Sequence, residues 1–166
     1  MSQVLIGIIG VILFIGLALA GAMFLGPRFQ ESANNSRASA SLQAVAQISQ
    51  AANMYQLQEG FAAANTGALT SGGYLKAVPV NPVSNANEPI LVNYLGGTPA
   101  VMDHVEMVIG GNGDAGTGQI CTAINKQATG GAGTPPTAQP TGATTDGVSG
   151  CYNDTTNNQY KVWARI

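Results

Sequence analysis

Val4–Leu25 reads VLIGIIGVILFIGLALAGAMFL, with nothing in it more polar than glycine. No charged residue precedes Arg28, so the apolar character extends from Met1 through Pro27. Wound as a helix, these roughly 22 residues span about 33 Å, enough to cross a hydrocarbon core about 30 Å thick. A cleaved signal peptide has an apolar region of only about 7–15 residues behind basic ones, and neither feature fits here. An ordinary membrane anchor is the plainest alternative. Gly7, Gly10, Gly16, Gly21 and Gly26 interrupt the run and Pro27 closes it. Each interior glycine costs about 1 kcal/mol of helix propensity relative to alanine. They either admit close neighbouring helices or mark a stretch that unwinds, although glycine is also common in membrane helices.

Beyond Pro27 the apolar pattern narrows to a stripe. Leu42, Val45, Ile48, Ala52 and Tyr55 recur at three- and four-residue steps, with Ala38, Ala46 and Ala51 beside them. Gln43, Gln47, Gln50, Gln56 and Glu59 mostly fall on the other sides, and Gly60 ends the pattern as a C′ glycine does. The expectation is one helix from about Ser2 to Glu59, about 87 Å long. Its first half is apolar all round and its second half is striped. Such a helix needs two environments, one apolar on every side and one a globular domain packed on a single face.

The remaining composition limits what that domain does. The chain has 166 residues, room for one ordinary domain with an appendage, and only 8% of them are charged. A net charge of −2 offers no general attraction for nucleic acid. One His and two Cys leave little room for a His-dependent catalytic apparatus or a multi-ligand metal site, so neither an enzyme nor a cofactor is expected. Asp103, His104 and Glu106 are close in sequence, but on a strand His104 and Glu106 are expected to share a solvent face. Gly110–Gly118, GGNGDAGTG, lacks the lysine and setting of a phosphate loop and is expected to be a long inter-strand turn. Asp114 is its only carboxylate, too few oxygens for calcium. Asn34-Asn35-Ser36 and Asn153-Asp154-Thr155 match the glycosylation sequon, a pattern with a high chance rate.

Strands are expected at Ile90–Leu95, between Pro89 and Gly96-Gly97, at His104–Ile109 and at Tyr160–Ile166. In the second, Val105, Met107 and Ile109 alternate with His104, Glu106 and Val108. In the third, Tyr160, Val162, Ala164 and Ile166 oppose Lys161, Trp163 and Arg165. Ile120, Ala123 and Ile124 suggest a short second helix around Cys121. The fold class is therefore α+β: a long N-terminal helix packed on a small antiparallel sheet of three or more strands. The expected divisions are an apolar segment 1–27, an amphipathic segment 28–60 and a globular region 61–166.

An apolar N-terminal helix that continues into an amphipathic half and carries a small domain resembles the type IV pilins. Leu69-Thr70-Ser71-Gly72-Gly73-Tyr74-Leu75-Lys76, followed by Pro79 and Asn81-Pro82, is similar to the Gly-Tyr-Leu and Asn/Asp-Pro segment that follows the first helix in pilins and pseudopilins. Cys121 and Cys151 are placed like the cysteines that close the pilin disulfide loop. The starting Met and the long interval between the cysteines lean toward the type IVb branch. The resemblance implies a Cys121–Cys151 bond around region 121–151, made in an oxidising compartment; two free buried cysteines are the alternative. Most of that region, Ala128–Gly150, is Gly, Ala, Thr, Pro, Gln and Ser and cannot build a core of its own. Its Thr/Pro-rich part is either an O-glycan carrier or a bare exposed loop.

The resemblance further implies a helical homopolymer whose core is packed from Met1, Gln3, Val4, Leu5, Ile8, Ile9, Val11, Ile12, Phe14, Ile15 and Leu17. Gly16, Gly21, Gly26 and Pro27 are the positions where the helix would melt on assembly. Prepilins carry a short basic leader cut after Gly, and Met1 would then be the processed, N-methylated residue; an initiator Met with cleavage at Gly7 is the alternative. The subunit would wait in the inner membrane with its headgroup in the periplasm, and would end in an extracellular pilus. Its partners would be copies of itself, a prepilin peptidase, and an assembly platform with its ATPase. One departure stands out. Most pilins have Glu at the fifth mature position, where it compensates a neighbour's amine; here the residue is Leu5, and Glu31 is the first carboxylate. A neutral Gln3 can hydrogen-bond an amine but not neutralise it. The rival readings are a type II secretion pseudopilin or minor pilin, and a bitopic periplasmic accessory or binding protein that never polymerises.

Overall fold

A computed structural model of the chain describes residues 2–84, 88–94, 102–114, 116–131, 133–140 and 147–166. It forms two compact units, Met1–Ala33 and Asn34–Ile166. Helix α1, Ser2–Glu59, supplies the first unit and opens the second. Gly60 ends it at φ +79°, with its N–H donating to the Gln56 carbonyl at 3.0 Å, as the C′ glycine predicts.

In the second unit the expected stripe is the buried one. Ala38, Ser41, Val45, Ile48 and Ala52 are covered, with Leu42 and Tyr55 partly so. They meet a four-stranded antiparallel sheet and a second long helix. The strands are β1 (Ile90–Val92), β2 (His104–Gly111), β3 (Ser149–Asp154) and β4 (Gln159–Arg165), in the order β1-β2-β4-β3. Helix α3, Thr117–Thr129, lies between β2 and β3 in sequence, and α2, Thr66–Ser71, follows α1. Leu91 pairs with Val105, Met107 with Val162, and Val162 with Cys151, so one sheet face carries the apolar residues. These join Ile120, Cys121, Ala123 and Ile124 of α3 and the stripe of α1 in one core. The α+β class holds.

Several boundaries differ from expectation. The first strand stops at Val92, and Leu95 lies outside the described residues. Gly110–Gly118 is not an inter-strand turn: Gly110 and Gly111 extend β2 past a bulge, and Thr117 already starts α3. The helix around Cys121 has 13 residues rather than a few, ending at Gly130 with φ +67°. Strand β3 was not expected. Its sequence, SGCYND, has no apolar alternation, because the partner elements rather than its own side chains make it a strand.

The tyrosine and Asn-Pro motifs have local structural jobs. Asn65 caps α2, its Oδ1 accepting from Ala68 N at 2.9 Å. The Tyr74 ring packs edge-on against Tyr55 at 5.2 Å, and its hydroxyl sits 2.9 Å from Gln58 Oε1 and 3.0 Å from Glu59 Oε1. Buried Asn81 donates through Nδ2 to the Val108 carbonyl at 2.6 Å, beside the bulge of β2. Its Oδ1 accepts from Val83 N and Ser84 N at 3.0 and 3.1 Å, holding an Asx turn against the sheet.

Candidate functional site

The first unit offers one conspicuous chemical feature, uncovered hydrocarbon. Val4, Leu5, Ile8, Ile9, Val11, Ile12, Phe14, Ile15 and Leu17 are all exposed, from 51% at Ile15 to 73% at Phe14. Ile6, Leu13, Leu19 and Met23 add to them, so no face of the helix is spared. Soluble monomers rarely expose contiguous apolar patches beyond a few hundred Å². The helix is long and apolar enough to cross a membrane. A Cβ built on Gly7, Gly10, Gly16, Gly21 or Gly26 meets nothing within 4 Å, so no contact among the described residues demands these glycines. Pro27 lies inside the helix, where it removes one N–H bond to the carbonyl four residues earlier. Arg28 and Glu31 form an exposed pair at 3.8 Å, of a kind worth little in water. Gln3 is in the helix; Met1 lies outside the described residues.

The second unit clamps its part of α1 with polar contacts as well as with the core. Asn34 Nδ2 donates to Gln119 Oε1 at 2.8 Å, and Ser39 Oγ to Gln127 Oε1 at 3.0 Å. Buried Ser49 donates through Oγ to the Arg165 carbonyl at 2.5 Å. Asn34 of the first sequon is therefore engaged on α3. Cys121 and Cys151 are bonded, tying α3 to β3. One turn further along α3, Asn125 Nδ2 donates to the Cys151 carbonyl at 2.9 Å, and its Oδ1 accepts from Cys151 N at 2.7 Å. The amide thus occupies the place of a paired strand residue on the open side of β3. Asn153 N donates to the Pro136 carbonyl at 2.7 Å on the same side. An edge strand closed in this way is a poor template for strand addition.

The opposite face of the sheet corrects an expectation. His104 and Glu106 do share a face, but it is buried: His104 is fully covered and Glu106 is 5% exposed. Buried Trp163 stands opposite Glu106 on the neighbouring β4, and buried Tyr152 reaches it from β3, one strand further on. Lys161 Nζ lies 2.8 Å from Glu106 Oε1 and 2.8 Å from Asp154 Oδ2. Glu106 also accepts from the hydroxyls of Tyr94 and, at 3.2 Å, Tyr152. Asp154 accepts from Asn157 Nδ2 at 2.8 Å and from the backbone N–H groups of Thr156 and Asn157 at 3.1 Å.

These surroundings shift four of the groups from their ordinary pKa values. The Asn157 and Lys161 hydrogen bonds hold Asp154 well below the ordinary carboxylate range. Burial would lower Lys161, but its bonds to Asp154 and Glu106 outweigh burial and raise it. Burial pushes the Tyr152 hydroxyl up to about 12 and, with Glu106 alongside, raises Tyr94 as well. The ammonium and the two carboxylates direct their bonds at one another, an arrangement suited to holding three strands together. His104 Nδ1 is 2.8 Å from Asp103 Oδ1, and its ring lies between Tyr94 at 4.8 Å and Trp163 at 5.5 Å. An open groove of about 530 Å³ runs over this face, lined by Tyr94, Glu106, Tyr152, Asp154 and Lys161 among others. Among the described residues there is no group of three or more His, Cys, Asp or Glu able to hold a metal.

Sequence reasoning missed this network because alternation alone cannot say which of two strand faces is covered. The available signal was Trp163 and Tyr152 beside Lys161 and Glu106, since a face carrying large aromatics needs a lid. No family model matches the chain, and no match is found among curated proteins or among solved structures.

Proposed function

We propose that the chain is the structural subunit of an extracellular type IV-like pilus, polymerising through residues 3–23. The observation that carries this reading is the contrast along α1. Its first unit exposes large apolar side chains on every side, while the same helix from Ala38 onward buries a stripe in a disulfide-tied domain. Equivalent segments from many copies, packed together, keep that hydrocarbon out of water. Burying roughly a dozen large apolar side chains at about 1.5–3 kcal/mol each contributes on the order of 20–35 kcal/mol against dissolution. The same term does not extract the segment from lipid, which already solvates it. That work falls to an assembly platform and its ATPase, with a prepilin peptidase preparing the N-terminus. The five glycines, which no contact among the described residues requires, fit close approach of neighbouring helices.

A second reading has one observation in its favour: a helix of this length and composition also suits a plain membrane anchor. The two separate in one experiment. Material sheared from producing cells is imaged by electron microscopy, and its main protein is identified by mass spectrometry. Filaments made chiefly of this chain are expected. A chain found only in the membrane fraction, with no filaments, overturns the pilus and leaves the anchor.

A further inference from the structure

The open groove of about 530 Å³ on the outer sheet face falls within the range of small-ligand sites, about 300–1,000 Å³. Separate stretches of chain build it: the end of β1, the ring closed by the disulfide, the β3–β4 turn and β4 itself. Its floor is charged but already satisfied. Glu106 accepts from Lys161, Tyr94 and Tyr152. Asp154 accepts from Lys161, from Asn157 Nδ2 and from the backbone N–H groups of Thr156 and Asn157. Lys161 directs two of its three N–H bonds at these carboxylates. The rim is neutral. Gln139, Thr156 and Asn157 are exposed there, and among the described residues the Gln139 amide and the Thr156 hydroxyl have no hydrogen-bond partner. Leu91, Met102 and the Tyr94 ring give the same groove apolar surface, the ring backed by His104 at 4.8 Å.

We propose that this groove binds a short neutral saccharide. The inference goes beyond the pilus reading and stands whether or not the chain polymerises. The floor separates the classes of ligand. An anion would face two carboxylates around one ammonium, a net negative charge. A cation would find the carboxylate oxygens already accepting and would have to displace Lys161 in order to pair. A purely apolar ligand would cover the rim amides without partnering them. An uncharged polyol meets none of these costs. Its hydroxyls both donate and accept, which matches the Gln139 and Asn157 amides, the Thr156 hydroxyl and the remaining Lys161 N–H. A pyranose ring also carries C–H faces, and these suit Tyr94, Leu91 and Met102.

The test uses the full chain in a detergent without a sugar headgroup. Calorimetric titrations are run with neutral trisaccharides of glucose, galactose, mannose and N-acetylglucosamine. Sialyllactose, spermidine and a capped tripeptide serve as anionic, cationic and peptide probes. Binding of at least one neutral trisaccharide with a Kd of about 1 mM or below is expected. No neutral saccharide bound at that level, or tighter binding of one of the other three probes, overturns the proposal. Gln139→Ala/Thr156→Ala removes two rim groups, leaves the ionic floor in place, and is expected to weaken the saccharide at least about tenfold. Gln50→Ala, which removes an exposed amide of α1 outside the groove, is expected to leave the affinity unchanged. Wild-type affinity in the double variant puts the sugar elsewhere and overturns the groove. Should the double variant unfold at lower urea than wild type, nuclear magnetic resonance of the wild-type chain decides the matter. Sugar-induced shifts of the Gln139 and Asn157 side-chain amides are expected; shifts confined to residues outside the groove overturn the assignment.

Discussion

Replacing Lys161 with methionine keeps the stem of the side chain and removes its ammonium. In the native sheet that ammonium sits 2.8 Å from both Glu106 and Asp154, with the three side chains 13%, 7% and 13% exposed respectively. Asp154 would retain three donors from Thr156 and Asn157. Among the described residues Glu106 would retain only the Tyr94 and Tyr152 hydroxyls, and it would lose the Lys161 countercharge. Leaving one partner of a buried pair uncompensated costs about 3–5 kcal/mol. That is a large part of a typical total of about 5–15 kcal/mol. For a chain of this size it corresponds to a fall in Tm of roughly 6–20 °C. Trp163 reports on the loss directly, since it is the chain's single tryptophan and stands opposite Glu106 in the β2–β4 register. Urea unfolding of the full chain in a non-ionic detergent, followed by Trp163 fluorescence, measures the deficit. Adding Glu106→Gln to the variant removes the stranded charge and is expected to restore most of it, a coupling that a double-mutant cycle isolates. A deficit below about 1 kcal/mol, or no recovery with Glu106→Gln, would refute the claim that Glu106 is held as one partner of a buried ion pair.

Cys121→Ser/Cys151→Ser opens a ring with a sequence separation of 30 and is expected to cost about 3–4 kcal/mol in the same urea assay. Asn125→Leu removes both bonds to the Cys151 backbone; a loss of about 1–3 kcal/mol is expected, with increased light scattering as β3 becomes open to strand pairing. The acid and alkaline limits follow from the two shifted groups. Asp154, depressed on folding, stabilises above its unfolded value near about 3.9, and that contribution disappears as pH falls through the lower folded value. Lys161, raised on folding, stabilises below about 10.4 and ceases to as pH climbs through its higher folded value. Urea midpoints measured against pH are expected to decline at both ends, with Asn157→Ala weakening the acid-side contribution. Gly10→Ala favours the isolated helix by about 1 kcal/mol and lies before the stretch expected to melt, so a fall in filament yield is expected to come from contacts between copies. A high-resolution filament map is expected to show broken helix between Gly16 and Pro27; an unbroken hydrogen-bond ladder there would sink that idea.

The helix was legible from residue types alone because its signals are local. Gly60 stops it, and the 3.6-residue recurrence of Val45, Ile48 and Ala52 marks the covered side. Two of the strands were legible for the same reason, as Val105, Met107 and Ile109, and Val162 and Ala164, alternate with other residues. Strand β3 was not legible, since Ser149, Gly150 and Asn153 have no strand preference and are held by β4, Asn125 and Pro136.

What the order of residues determined unaided was the division of one helix into a part apolar on every side and a part with a single apolar stripe, because both patterns are set by which residue types recur at which spacing. Packing decided the rest. Period-two alternation separates the two sides of a strand but is symmetric between them, so only the folded sheet could assign His104 and Glu106 to a covered side. Only there does Glu106 of β2 meet Asp154 and Lys161 of the β3–β4 hairpin, one ammonium set between two carboxylates, the second of which also has the Thr156 and Asn157 donors.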